Sequence, residues 1–457
     1  MTAFLRPTLL ALFAVSSSLA AQGPAPDDST AVHSLTLGGA ARLAAHQSAH
    51  ALEAHSRADQ ARARLTQSRA QFLPNIDAAF TPASARTYNT APLLGFAFPT
   101  LPGETKPLFD ANGQIVGPIN EVTYGVRGAD TLFSFGAISR YRATQSAEQS
   151  QIADASQQED SAASAAALVY LRAQRASADL SARIADSTLA ADLLSIARDQ
   201  LSAGTGIVLD VTRAQSQLAN ERAQLIQARN DIDRAQLDLL RALGLPLTAP
   251  ITLTDSLAAL PITDTLPPEA IAVDRALKHR PDLKAADAQL EASSRQVTAI
   301  RAERLPSIAA VGAWAEDGIR YNALLPTFQA GLEVNFPIFD GFSRSGRIQE
   351  QQASAREIEV RRRDLRQRIA IEVRQAYLDL ASARQQVDAA RERQQFAQQE
   401  VDQARERFRS GVATNADVIT ALLDLDSART GLIDALNSYQ TARVSLARAL
   451  GAVQELP

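Results

Sequence analysis

Three histidines on one predicted helix have the type and spacing closest to a metal site. His46 and His50 stand four positions apart, and His55 follows. Two histidines at i and i+4 share a helix face, but the zinc-hydrolase pattern also needs a glutamate between them, which this chain lacks. We therefore predict that these side chains lie in solvent or between helices. The expectation is no metal site and no cofactor.

Other residue patterns do not suggest catalysis or nucleic-acid binding. The chain has no cysteine, and no Ser/His/Asp constellation or glycine-rich phosphate loop stands out. Arg361, Arg362 and Arg363 alternate with acidic residues such as Glu357 and Glu359, a pattern typical of ion pairs on a solvated helix face. The formal net charge of −4 gives no reason to expect a nucleic-acid partner. We predict no catalytic residue and no enzymatic activity.

The N-terminus has the pattern of a secretory signal. In residues 1–20, Arg6 precedes an apolar core at 9–15, and Ser18 and Ala20 are small residues at −3 and −1. Because no cysteine lies near the cut, we do not expect an acylated lipoprotein. No later run of about 18 apolar residues predicts a transmembrane helix, so membrane insertion would require strands.

The chain is organised around a predicted helix at 343–410. This stretch contains no proline, and apolar residues such as Ile369, Val373 and Leu380 recur at helical spacing. At 1.5 Å per residue the helix would be roughly 100 Å long. Such a length is typical of a coiled coil or a helical tube.

An internal repeat relates the two halves of the chain. Leu73-Pro74 recurs as Leu305-Pro306, and further matches stand at a constant offset of 207 positions. The matched pairs are Tyr170/Tyr377, Gly204/Gly411, Asp210-Val211/Asp417-Val418 and Ala242–Gly244/Ala449–Gly451. Matches in this order predict a tandem repeat of helix, strand, loop, strand, long helix, turn and helix.

The predicted boundaries follow from these repeats. A polar lead occupies 21–34, a proline-rich linker 245–267 and a short tail 452–457. Repeat 1 (35–244) contains a helix from 37 to about 72, strand 74–81, loop 82–119, strand 120–132, long helix 137–203 and helix 208–243. Repeat 2 (268–451) contains helix 270–304, strands 306–315 and 327–337, long helix 343–410 and helix 414–450.

The predicted strands each have one apolar and one polar face. In strand 327–337, Gln329, Glu333 and Asn335 alternate with apolar residues and would face water in a lumen. Four strands per chain cannot close a membrane barrel, for which eight is about the minimum, whereas three chains supply twelve. The predicted fold is mostly α with membrane β: a trimeric 12-stranded β-barrel continuous with a 12-helix α-barrel. Two or four chains also remain open.

A soluble periplasmic coiled-coil adaptor or scaffold is the alternative. Such a protein has long helices too, but it does not need two hairpins with uninterrupted apolar faces. The strand pattern therefore favours the membrane channel.

Several segments resemble the TolC family of outer-membrane efflux channels over about residues 35–455. They are Leu35-Thr36-Leu37, Arg280-Pro281-Asp282-Leu283, Phe336-Pro337-Ile338-Phe339-Asp340-Gly341 and Gly411 with Asp417-Val418. The resemblance implies a homotrimeric duct in the lipid of the outer membrane, with a long periplasmic extension. It also implies a periplasmic adaptor (membrane fusion protein) and an inner-membrane pump of the RND, ABC or MFS class. Drug efflux, metal efflux and protein secretion remain open as functions.

The resemblance places a gate at the two helix–helix turns. Asp417 matches the position of a constricting, cation-attracting ring, and Asp424 two helical turns later could form a second ring. Thr414 and Asp417 also fit a capping box, so a structural role is predicted as well. A second acid and a locking arginine of some members are replaced here by Thr420 and Ala413.

The same turns are the expected docking surface for the adaptor. Gly204, Gly206 and Gly411 are predicted to adopt positive φ. The candidate segments are Leu201–Val208 and Phe408–Val412, with Gly204, Gly206, Asp210, Gly411 and Val412 as site residues.

Overall fold

The computed structural model describes residues 33–89, 97–101, 104–107, 115–257 and 268–456. The predicted signal peptide, most of the polar lead and part of the linker lie outside these residues. Within them, no helix combines the length and the apolar character needed to cross a membrane.

Long helices and a β-sheet form the described part of the chain. The helices are α1 (Leu37–Gln47), α2 (Ala49–Arg69), α3 (Phe135–Ser202), α4 (Val208–Leu243), α5 (Glu269–His279), α6 (Pro281–Ala302), α7 (Ser343–Arg409) and α8 (Asn415–Leu450). The strands are β1 (His33–Leu35), β2 (Asn75–Asn89), β3 (Ala97–Leu101), β4 (Glu104–Pro107), β5 (Ile115–Ser134), β6 (Ile251–Leu253), β7 (Ser307–Gly318) and β8 (Leu324–Asn335).

The first helix of each repeat differs from its prediction because it is broken. The predicted helix from 37 to about 72 separates into α1 and α2 at Ser48, which is extended and whose hydroxyl accepts from the Ala51 amide at 3.3 Å. The predicted helix 270–304 separates into α5 and α6 at Arg280, because Pro281 disfavours helical geometry in the residue before it. Neither break interrupts the apolar periodicity.

Each break makes room for the glycine that ends the last helix of its repeat. Gly244 has φ +73°, and a Cβ there would lie 2.4 Å from the Gln47 carbonyl oxygen. Gly451 has φ +70°, and a Cβ there would lie 3.2 Å from the Arg280 Cα. The repeat therefore extends to the packing of its helix ends.

The predicted loop 82–119 is also wrong, since much of it is β-structure. β2 continues to Asn89, β5 begins at Ile115, and β3 and β4 pair as a small hairpin between them. The register shifts between Thr81 and Ser84, a bulge that accommodates Pro82, which has no N–H for the ladder. Residues 90–96, 102–103 and 108–114 of the predicted loop lie outside the described residues.

The main sheet has the order β2-β5-β7-β8, with antiparallel neighbours. Its strands differ from the predictions 74–81, 120–132, 306–315 and 327–337 by up to eight residues, and the long-helix ends differ from theirs by at most two. A separate parallel pair joins β1 to β6, so the predicted linker contains a strand. Because β1 and β6 are three residues each, neither carries a recognisable period-2 pattern.

Helix contacts arrange the described helices side by side as a wall. Toward the strands the neighbours follow the order α2-α3-α6-α7, and toward the helix–helix turns they follow α4-α3-α8-α7. The largest core lies at mid-height, where Tyr170, Tyr439 and Ile369 are fully buried. Small residues such as Ala163 and Ala167 allow α3 to pack closely against its neighbours there.

Candidate functional site

Two helix–helix turns with the same backbone geometry lie at one end of the wall. In the first, Gly204 has φ +76°, and the amides of Thr205 and Gly206 donate to the Gln200 carbonyl at 3.0 and 2.9 Å. In the second, Gly411 has φ +74°, and the two following amides donate to the Arg407 carbonyl at 2.8 and 3.1 Å. The internal repeat therefore holds at atomic detail here.

Gly206 differs from its prediction, since its φ is not positive. A Cβ at this position would lie 2.9 Å from the Leu201 backbone nitrogen. The glycine thus allows a close backbone approach rather than a left-handed conformation.

The two turns are joined by hydrogen bonds between the hairpins. The Gln200 side chain donates to the Phe408 carbonyl at 2.8 Å, and the Asn415 side chain, which is fully buried, donates to the Asp210 carbonyl at 2.7 Å. The half-buried Arg405 and the exposed Asp192 add an ion pair at 3.4 Å. The α3–α4 and α7–α8 hairpins therefore meet as one unit at their tips.

An apolar cluster lies directly behind these hydrogen bonds. It contains Leu193, Leu194, Leu218, Phe408 and Val418 from all four helices. Phe408 is only 4% exposed, so it is not available for docking, which corrects one end of the predicted segment Phe408–Val412. Ile207, Val208 and Val412 are instead more than half exposed.

Asp417 caps the start of α8, as predicted. Its Oδ2 accepts from the Thr414 amide and from the Thr414 hydroxyl, each at 2.8 Å, and the Thr414 hydroxyl accepts from the Asp417 amide at 3.3 Å. These hydrogen bonds from Thr414, with a smaller contribution from Arg407, lower the pKa of Asp417 below its ordinary value. The carboxylate remains exposed.

Asp424 and Asp210 have different surroundings. Asp424 follows Asp417 by seven residues, which places the two within about 20° on one helix face. It is exposed and lines a shallow groove with Glu392, Phe396 and Glu400. Asp210 begins α4 without a capping box, because Ile207 occupies the N-cap position.

The predicted lumen residues lie on the edge strand β8. Gln329, Glu333 and Asn335 share one face, opposite Ala313, Ala309 and Ser307 of β7. The other face carries Phe328 and Leu332, which are 86% and 71% exposed in the single chain.

The histidines and the arginine run lie at or near the surface of their helices. His46 and His50 are exposed, and His55 contacts Glu159 at 2.9 Å. No group of three or more candidate metal ligands occurs among the described residues. Arg363 pairs with Glu359 at 2.6 Å, and Arg361 pairs with Glu357.

Comparison with known proteins identifies the family. The family model described as "Outer membrane efflux protein" matches residues 41–245 and 272–452. The chain belongs to the outer membrane efflux protein family. This membership agrees with the prediction that the chain is not an enzyme.

Curated relatives cover part of the chain. Protein CyaE of Bordetella pertussis is 31% identical over 287 residues, which are 62% of this chain and 60% of that protein. The outer membrane efflux protein BepC of Brucella suis is 29% identical over 262 residues, 56% of this chain and 55% of that protein. The chain thus spans less than two thirds of the length of these relatives.

A solved structure shows the same fold over nearly the whole chain. The outer-membrane channel OprN superposes with a TM-score of 0.70 at 20% identity, covering 92% of this chain and 90% of that one. The predicted fold class, mostly α with strands in two tandem repeats, is confirmed by this likeness.

The structure also contains a functional candidate that sequence reasoning missed. Arg183, Asp186, Glu221, Asp426 and Arg429 form a largely buried polar layer across the helical wall. Their spacing along the sequence resembles that of any charged helix face. Only the packing of three separate helices shows that they meet.

Proposed function

We propose that this protein is the outer-membrane exit duct of a tripartite efflux pump or type I secretion system. Small molecules or proteins would pass through it without chemistry. The observation that carries the proposal is the continuity of an amphipathic antiparallel sheet with two helical hairpins whose long helices have 68 and 67 residues. At 1.5 Å per residue these helices reach about 100 Å, enough to extend from a membrane deep into the periplasm.

A trimer is supported by the open edges of the sheet. β2 and β8 each have one paired side among the described strands, so each presents unpaired backbone groups to solvent. Pairing of β8 with β2 of a second copy would satisfy these groups, and three copies of a four-stranded sheet give twelve strands. Eight is about the smallest number that closes a membrane barrel.

The edge helices of the wall carry matching apolar stripes. On α7, Val360, Ile371, Leu378 and Phe396 fall within about 20° of one another at 100° per residue, and each is more than half exposed. On α4, Val208, Ile226 and Leu237 are likewise aligned and 67%, 66% and 47% exposed. Stripes of this length on opposite edges favour lateral packing of α7 against α4 of the next copy.

The proposed barrel would place the apolar face of β8 against lipid. Phe328 and Leu332 are then explained as lipid-facing residues, and Gln329, Glu333 and Asn335 would line the water-filled lumen. The strands of 12 residues in β7 and β8 are long enough to cross a bilayer at a tilt.

The helix–helix turns would form the periplasmic gate and the adaptor docking surface. Three copies of Asp417 around the axis would concentrate cations, with Asp424 forming a second ring above. Gly204, Gly206, Asp210, Gly411 and Val412 lie at the tip, where exposed apolar residues such as Val208 offer a contact surface. The partners would be a periplasmic adaptor and an RND, ABC or MFS pump.

Membrane fractionation with cross-linking tests this proposal. We expect the protein in the outer membrane, with a cross-linked ladder that stops at three chains. Leu378→Glu places a charge on the α7 stripe and should weaken the ladder, whereas Gln386→Glu adds the same charge about 80° away from the stripe and should not. Recovery as a soluble periplasmic protein, or a ladder that ends at two, would contradict the duct.

A further inference from the structure

A polar layer interrupts the apolar packing of the helical wall. On the side toward the strands lies the main core, which includes Leu380, Val387 and Leu436. On the side toward the helix–helix turns lies a smaller cluster, which includes Val401, Ala421 and Leu425. Toward the turns the helices therefore have apolar contacts separate from those of the main core.

Two arginines join the hairpins across this layer. Arg183 on α3 donates to Asp426 at 2.5 Å and to Thr430 at 3.1 Å on α8, and to Gln224 on α4 at 2.6 Å. Arg429 on α8 pairs with Asp186 on α3.

Arg429 also donates to Gln398 on α7 at 3.1 Å. The layer thus connects all four helices of the wall at this level. Helix α3 contributes Arg183 and Asp186 to the layer, and Asp179 at its more exposed rim. Helix α4 contributes Glu221, and α8 contributes Asp426 and Arg429. Helix α7 contributes the neutral Gln398.

The acidic side chains of the layer are not fully paired. Asp186 and Glu221 are 6% and 3% exposed, and Asp186 Oδ2 and Glu221 Oε2 are buried without a hydrogen-bond partner among the residues that the structure describes. In the described part of the chain, Glu221 Oε1 accepts from one donor, the neutral Gln217 on its own helix, at 2.7 Å. A buried carboxylate with one neutral partner is costly in its ionised form.

The charges of the layer also do not balance. Away from the exposed rim, where Asp179 lies, Asp186, Glu221 and Asp426 carry three negative charges when ionised, whereas Arg183 and Arg429 carry two positive charges. One proton taken from solvent by Glu221 would neutralise the excess among these more buried groups. It would leave both arginine–aspartate pairs intact.

We infer that Glu221 is a buried proton-binding site that holds the two hairpins together when protonated. This inference rests on the proposed function, because the hairpins must separate for the duct to open. The protonated carboxyl places no unpaired charge in the layer. Deprotonation at higher pH leaves a buried, poorly solvated carboxylate that favours separation of α8 from α3 and α4.

The electrostatics of the site agree in direction. Burial raises the pKa of Glu221, and the negative charges of Asp186 and Asp426 raise it further, against the smaller opposing effect of Arg183. Burial also raises the pKa of Asp186, with Arg429 acting in the opposite direction. A carboxyl whose pKa is raised in the packed state favours that state at low pH. This advantage is lost as the pH rises through the raised pKa.

The test uses purified full-length protein in two measurements. Infrared spectroscopy follows the C=O stretch of protonated carboxyl groups between about pH 4 and pH 8, a range that begins near the ordinary glutamate pKa of about 4.3. Planar-bilayer recording follows conductance over the same range. The variants are Glu221→Gln, a neutral mimic of the protonated state, and Asp199→Asn, a control on an exposed acid of α3.

In wild type we expect a carboxyl band that disappears only at a pH above the ordinary glutamate pKa. Conductance should rise as this band disappears, by about tenfold for each unit by which packing raises the pKa of Glu221. Glu221→Gln should lack this band and keep a low, pH-independent conductance, and Asp199→Asn should behave as wild type.

An unchanged band in Glu221→Gln, or a conductance that still follows pH in this variant, would overturn the inference. If wild type does not conduct at any pH, the proposed duct fails. The infrared titration would still decide the proton site.

Discussion

Replacement of Phe408 by alanine should loosen the tip without unfolding the chain. Phe408 is 4% exposed and packs in the cluster that joins both hairpins near the turns. Its backbone carbonyl would still accept from Gln200, so the change removes packing and leaves the hydrogen bond in place.

The expected magnitude follows from the burial of the ring. Transfer of a fully buried phenylalanine side chain contributes about 1.5–3 kcal/mol, and the remaining cavity brings the cost of Phe→Ala to about 3–5 kcal/mol. At the lower limit of 3 kcal/mol, the population in which the tips are separated rises roughly 100-fold. The main core around Tyr170 and Tyr439 does not include Phe408, so global unfolding should change less.

Hydrogen exchange measured by mass spectrometry is the appropriate assay. We expect faster exchange in Phe408→Ala at residues 190–203 and 404–422, and unchanged exchange around Tyr170. Gln395→Ala is the control, because this side chain lies on the same helix, is exposed, is about 100° away from the α7 stripe and lies outside the cluster. Equal protection at the tip in wild type and Phe408→Ala would refute the reasoning, since it would mean that the cluster does not hold the hairpins together.

Three further changes test other parts of the structure. Asp417→Asn should reduce the cation preference of the channel, measured as a shift in reversal potential. Hydrogen bonds from Thr414 lower the pKa of Asp417, so the wild-type preference should persist above about pH 4 and decline only below it. Gly411→Ala should destabilise the second turn by about 1–2 kcal/mol. The cause is the φ of +74° alone, since nothing lies within 4 Å of the added Cβ. In denaturant titrations, Gly411→Asn should lose less stability than Gly411→Ala, because asparagine tolerates positive φ better. Tyr170→Phe removes a buried hydroxyl that donates to the Leu35 carbonyl at 2.8 Å, and it should lower the free energy of unfolding by about 1 kcal/mol, with a shift in denaturant midpoint as the readout.

Local chemistry made several elements predictable from sequence. The period of apolar residues along 343–410 predicted a helix that the structure ends at Arg409. The 207-residue offset predicted two equivalent turns, and their backbone hydrogen bonds are the same. The capping box of Thr414 and Asp417 was predictable because both partners lie within one helical turn.

Other features depend on partners far away in the chain. The break at Ser48 is explained by the approach of Gly244, almost 200 positions later. β1 forms because β6 pairs with it, and Tyr170 donates to the Leu35 carbonyl at its end. None of these contacts leaves a local pattern, so the first helix was predicted as continuous and the linker as strand-free.

The sequence by itself determined the repeat, the long helices and the turn glycines, because each follows from spacing along one segment. Only the tertiary structure decided that Phe408 lies inside the tip and that Glu221 is buried beside Asp186. The physical reason is that burial and charge pairing are properties of neighbouring helices. A helix face that looks solvated in sequence becomes a polar layer only when α3, α4 and α8 pack around it.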